Sequence, residues 1–101
     1  MNDPGWPFDQ GPNVAAFTTR RVAFSGAPIL MVLHYSEDHS WAFMDGGEAG
    51  DADLAIISMA QVVQHDSTVR EVADLPPGWV ATRRRVGDAW VRERTNPSDL
   101  P

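Results

Sequence analysis

The chain has 101 residues, 43% of them apolar, with four Trp, four Phe, no Cys and a formal net charge of −6. At this length one domain is expected, burying about two-thirds of the surface its unfolded chain would expose, and that composition sets it apart from disordered sequences. Without cysteine there is no disulfide, thiolate metal site or cysteine nucleophile, and the acidic balance argues against a nucleic-acid partner. No apolar run approaches the length of a membrane-spanning helix, and "MNDPGWPF" lacks a signal-peptide layout, so a cytoplasmic protein with no membrane partner is expected. All eight basic residues are Arg, which points to a GC-rich bacterial genome.

Residues 1–13 hold three Pro and two Gly beside Trp6 and Phe8, and read as an irregular arm laying aromatics on a domain of residues 14–95; residues 96–101 read as a short tail. From Val14 to Phe24 β-branched and aromatic residues are interrupted by "TTRR", compatible with a bend or one helical turn. "SGAP" (25–28) is a turn. "ILMVLHY" (29–35), apolar on both faces, predicts a central strand, and "WAFM" (41–44) another, as parts of an antiparallel meander. "LAII" (54–57), short and wholly apolar, predicts a buried strand. Ser58 and Gln61 form a capping box that starts a helix, and Asp66 caps a second helical segment with Val69, Val72 and Ala73 on one face. "LPPG" (75–78) stops it. "WVATRRRVGDAWVRER" predicts a closing β-hairpin turning tightly at Gly87-Asp88. The fold class is therefore α+β: an antiparallel sheet of about five strands, with the two short helices of 58–74 on one face. Trp41, Phe43 and Trp79 are expected in the core, Trp6 and Trp90 partly exposed.

"MDGGEAGDAD" (44–53) carries three glycines and four acids. As an EF-hand starting at Asp45 it would need oxygen ligands where Gly47 and Ala49 stand and a Glu where Ile56 stands, so that reading fails. A repeat-type calcium site has its third glycine out of register, which leaves only an irregular cation site at Asp45, Asp51 and Asp53, or a plain connecting loop. "GGEAG" lacks both the Lys-Ser/Thr of a phosphate loop and the dinucleotide spacing. His34, His39 and His65 show no metal-ligand spacing, and Ser58, His65 and Asp66 lack a nucleophile elbow, so neither a metal, a cofactor nor catalysis is expected. Arg83, Arg84 and Arg85 alternate faces if they lie in a strand; they either cover the hairpin, with stems beside Trp79 or Trp90 and heads on the acidic loops, or hold an anion.

"DHSWAFMDGGE" (38–48) followed by "ISMAQVVQHDSTVREVADLPPGWVATR" (57–83) resembles a small bacterial family linked with immunity proteins of polymorphic-toxin systems, the immunity protein 33 type. Asp38 and Trp41 match its first strand, Gly46, Gly47 and Glu48 its loop, and Asp66 and Ser67 its turn, with Ser67 standing where the family has proline. Pro77, Gly78 and Arg83 match its closing segment. The resemblance covers roughly residues 14–83; the arm and the Arg-rich hairpin look like additions. It implies a protein partner, a cognate toxin to be neutralised. The expected partner surface is the acidic set Glu37, Asp38, Asp45, Glu48, Asp51 and Asp53, steering toward a basic cleft. The rival expectation is that these acids solvate loops or pair with the chain's own arginines, and the alternative function is a small-ligand or anion-binding domain. A monomer or weak dimer is expected.

Overall fold

Two connections shape the sheet. The chain leaves its first strand, β1 (Ala15–Thr19), through a short helix, α1 (Arg20–Ser25), and starts β2 (Met31–His34) two positions away. The turn at residues 35–40 then returns β3 (Trp41–Met44) into the gap, parallel to β1 and antiparallel to β2. The computed structural model describes residues 6–46 and 53–95. Of the sequence features, the start of the arm, the tail at 96–101 and Gly47, Glu48 and Asp51 lie outside the described residues.

β4 (Leu54–Ser58) pairs antiparallel with the outer side of β1. It runs into α2 (Met59–His65), a 3-10 helix (Ser67–Val72), and the hairpin of β5 (Trp79–Thr82) and β6 (Val91–Arg94), with β5 beside β2. The order is β4-β1-β3-β2-β5-β6, an α+β domain with a six-stranded mixed sheet. The expected meander of about five antiparallel strands is corrected here: strands adjacent in sequence usually pair, but β3 inserts between β1 and β2 and makes one pair parallel.

Local chemistry sets the helix ends. The Thr19 side chain accepts from Val22 N–H, and Gly26 at φ 74° closes α1, which settles "TTRR" as strand end and helix start. Ser58 Oγ accepts from Gln61 N–H at 3.1 Å while Gln61 Oε1 accepts from Ser58 N–H at 2.9 Å, the reciprocal box expected of that spacing. The carbonyls of Val14 and Pro12 take the N–H groups of Met59 and Ala60 at 2.9 Å each, so the β1–β4 ladder continues into the first turn of α2. Asp66 caps the following segment through Thr68 N–H, which winds as a 3-10 helix.

One sheet face builds the core. Ala16, Val32, Trp41, Phe43 and Ala81 pack beneath Val22, Ile29, Met59, Val62, Val69, Val72 and Leu75. Phe8 of the arm is buried among them, edge-on to Trp41 at 5.0 Å and to Phe43 at 6.1 Å between ring centroids. Trp79, expected in the core, is only half-buried at its margin, as are Trp6 and Trp90. No helix among the described residues is long and apolar enough to cross a membrane.

Candidate functional site: an uncharged sheet edge

The acidic residues expected to form one surface are split by the strand order. Glu37 and Asp38 sit in the β2–β3 turn, whereas Asp45 follows β3 and Asp53 precedes β4 at the opposite end of the sheet. A four-residue strand, about 13 Å long, separates the two groups. Asp45 meets Arg21 through two contacts, Nε to Oδ2 at 2.5 Å and a second nitrogen to Oδ1 at 3.2 Å. The hydrogen bond to Asp45 and the charges of Asp45 and Asp53 raise the Arg21 pKa against the opposing effect of burial. Asp38 Oδ1 accepts from both Ser40 Oγ at 2.7 Å and Ser40 N–H at 3.0 Å, which holds its carboxyl below the usual carboxylate range. Asp38, Asp45 and Asp53 are thus tied to the chain's own groups, and Glu37 is exposed.

The histidines are dispersed in role. His34 is buried and stacked on Trp41, with ring centroids 3.9 Å apart. Its Nδ1 lies 2.7 Å from the Leu75 carbonyl oxygen, which only accepts, so Nδ1 carries a proton. Its Nε2 comes within 3.3 Å of Asp9 Oδ2 without hydrogen-bond alignment, while Asp9 Oδ1 accepts from Trp41 Nε1 at 2.8 Å. His65 ends α2 against the Ala27 carbonyl at 2.9 Å. Ser58 is held in its cap about 10 Å along the helix from His65, so the pair cannot share a reacting atom. Among the described residues no group of three or more His, Asp or Glu could hold a metal ion.

The arginine triplet departs from both expected readings. Arg83 leaves the end of β5 and is buried; it donates to the Ile29 carbonyl from Nε (3.1 Å) and a terminal nitrogen (2.9 Å), to Thr68 Oγ1 at 2.9 Å and to Asp66 Oδ2 at 2.6 Å. Its guanidinium lies 4.1 Å from the centroid of the Trp90 ring, where the packing reading had only an arginine stem, and its carboxylate is Asp66 rather than an acidic loop. Arg92 is taken by Asp74 at 2.7 Å and the Glu71 carbonyl at 2.8 Å. Residues 83–90 form a loop between β5 and β6 rather than a two-residue turn. Thr82, Arg83, Arg84, Asp88, Ala89 and Val91 line a shallow open depression there, but Arg83 is turned inward and the Asp88 carboxylate opposes an anion.

The feature that sequence reasoning missed is the edge formed by β4. "LAII" was expected to be buried; the structure corrects this, placing it at the sheet margin with Leu54 41% and Ile56 65% exposed. Phe17 of β1, opposite Ile56 in register, is 38% exposed, and Val14 just before β1 is 40% exposed. Together they form an apolar ledge. The other edge, β6, carries Arg92, Glu93 and Arg94, all exposed, the usual protection of a free strand against pairing; β4 has no charged residue at all. The sequence signal was the absence of any charge or proline in "LAII", but burial on both faces explains that absence equally well. No family model, curated protein or solved structure matches the chain.

Proposed function

We infer that this protein is a non-enzymatic protein-interaction module acting in a bacterial cytoplasm, of the kind that neutralises a cognate toxin. The observation that carries the interaction reading is the uncharged β4 edge with Ile56 at its centre. A free strand presents unpaired N–H and C=O groups, and exposed Leu, Ile and Phe beside it add apolar area that a partner would remove from water. The toxin-neutralising part rests on the resemblance at residues 38–48 and 57–83. The non-enzymatic part draws support from groups already committed to structure: Ser58 to its cap, Asp66 to Arg83 and Thr68, His34 to Leu75 and Trp41. The acidic set carries less of the reading than expected, because its described members lie at two ends of the sheet. The anion-binding alternative loses two of its arginines to internal partners.

The test is capture of proteins from a lysate of the source cells by the tagged parent and by a Leu54→Lys/Ile56→Lys variant. The reading expects a protein that the parent retains and the variant loses, with Arg84→Ala behaving as the parent does. Identical retention by parent and edge variant would remove the edge from the function.

A further inference from the structure

We propose that the protein met at this edge is a second copy of the chain, with β4 pairing antiparallel to β4 about a two-fold axis through Ile56. The inference rests on the interaction reading above and names its partner; a toxin would then be met by the dimer.

Three observations lead to it. First, the two ends of the sheet differ. Homotypic pairing through β6 would crowd Arg92, Glu93 and Arg94 of two copies, whereas β4 brings no charge of its own. Second, β4 is self-complementary. With Ile56 on the axis, Leu54 lies opposite Ser58, Ala55 opposite Ile57, and flanking Asp53 opposite Met59, so no like charges face each other across the ladder. Residues directly opposite in an antiparallel pair share a face. Both Ile56 side chains therefore meet on the outer face, with Leu54 beside them and Phe17, the β1 register partner of Ile56, behind. Third, the area suits a reversible dimer. Covering a five-residue strand and the Leu54, Ile56 and Phe17 side chains of both copies removes roughly 700 Å² in total, below a standard specific interface and in the range of a weak, transient contact. The charge of −6 on each copy opposes association. Salt should therefore strengthen the dimer by screening that repulsion. Such a contact closes on itself as an isologous pair, because each copy has one β4 edge and β6 stays protected.

The absence of cysteine makes the test direct. In an Ile56→Cys variant the two new thiols lie opposite each other on the axis, where Cα atoms about 5 Å apart suit a disulfide. In Leu54→Cys the copies of residue 54 are offset from the axis in opposite directions, about 13 Å apart and out of reach. Mild oxidation of the full chain should give several-fold more linked dimer for Ile56→Cys than for Leu54→Cys or Val91→Cys. Sedimentation velocity of the unsubstituted chain should show a dimer fraction that grows with concentration and with salt and is lost in Ile56→Lys, a change at an exposed position that leaves the core intact. Equal linking by the three cysteine variants, or a monomer throughout the concentration range, would overturn the proposal. If the dimer fails while the Leu54→Lys/Ile56→Lys variant still loses a captured protein, only the identity of the partner is wrong. If the dimer forms while the edge variant still captures the same protein, the dimer stands and that protein is met away from β4.

Discussion

Arg83 and Asp66 meet at 2.6 Å with the Arg83 side chain wholly removed from solvent, and this pair joins three segments distant in sequence. The same guanidinium holds the Ile29 carbonyl before β2 and the Thr68 hydroxyl in the 3-10 helix, and rests on Trp90. Removing one partner of a buried pair leaves the other charge uncompensated, a loss of about 3–5 kcal/mol. Arg83→Ala should therefore unfold at much lower denaturant concentration than the parent. Arg83→Lys should recover little, because an ammonium lacks the planar fork that serves Ile29 and Asp66 together. Full stability of the Lys variant in urea titration would contradict this account of the site.

Burial tends to raise the Asp66 carboxyl, but the Thr68 hydroxyl and N–H and the Arg83 guanidinium outweigh it and hold the group below the usual carboxylate range. A carboxyl depressed in the folded state contributes stability that is fully present above its unfolded pKa, about 3.9, and is lost as pH falls through the lower folded value. Asp38 and Asp74, lowered by Ser40 and Arg92 respectively, act in the same direction from exposed positions. Unfolding free energy should therefore fall as pH drops through the acid range. Asp66→Asn should be less stable than the parent near neutrality and should show a shallower acid dependence. Parallel pH profiles for the two proteins would be the contrary result.

Phe8 anchors the arm, being 6% exposed and set edge-on against Trp41 and Phe43. Phe8→Ala should cost about 3–5 kcal/mol in chemical denaturation, the range for a large aromatic removed from a core. A loss under about 1 kcal/mol would mean that the arm merely lies on the surface, since substitutions there stay within about ±0.5 kcal/mol.

The capping box sets a smaller scale. Ser58→Ala should destabilise by about 1 kcal/mol, the typical effect of losing an N-cap oxygen. Gln61→Ala should cost less, because Gln61 supplies the reciprocal bond to the Ser58 N–H on an exposed helix end. A double-mutant cycle should show coupling between them, as expected for contacting residues.

What the sequence revealed was local. The cap at Ser58 depends on residues three apart, and the cap at Asp66 on residues two apart, so both could be read from the chain; so could the strand at Trp41–Met44 and the β5–β6 hairpin. What it concealed was long-range order. Nothing near Trp41 says that β3 will fill the gap between β1 and β2, yet that insertion makes the sheet mixed and separates Glu37 and Asp38 from Asp45 and Asp53. "LAII" is compatible with a central strand or an unprotected edge, and only the strand order decides between them. Arg83 looked like surface because arginine usually is; its burial depends on Ile29 and Asp66, 54 and 17 residues away.

The most direct measurement is amide hydrogen exchange of the intact protein as a function of its concentration, read separately for β4 and β6. Edge amides that face solvent in the monomer become paired on association, so the account predicts that exchange in residues 54–58 slows as concentration rises, whereas residues 91–94 stay unchanged. Exchange at both edges that is independent of concentration, or slowing confined to β6, would contradict the claim that this protein associates through its uncharged strand.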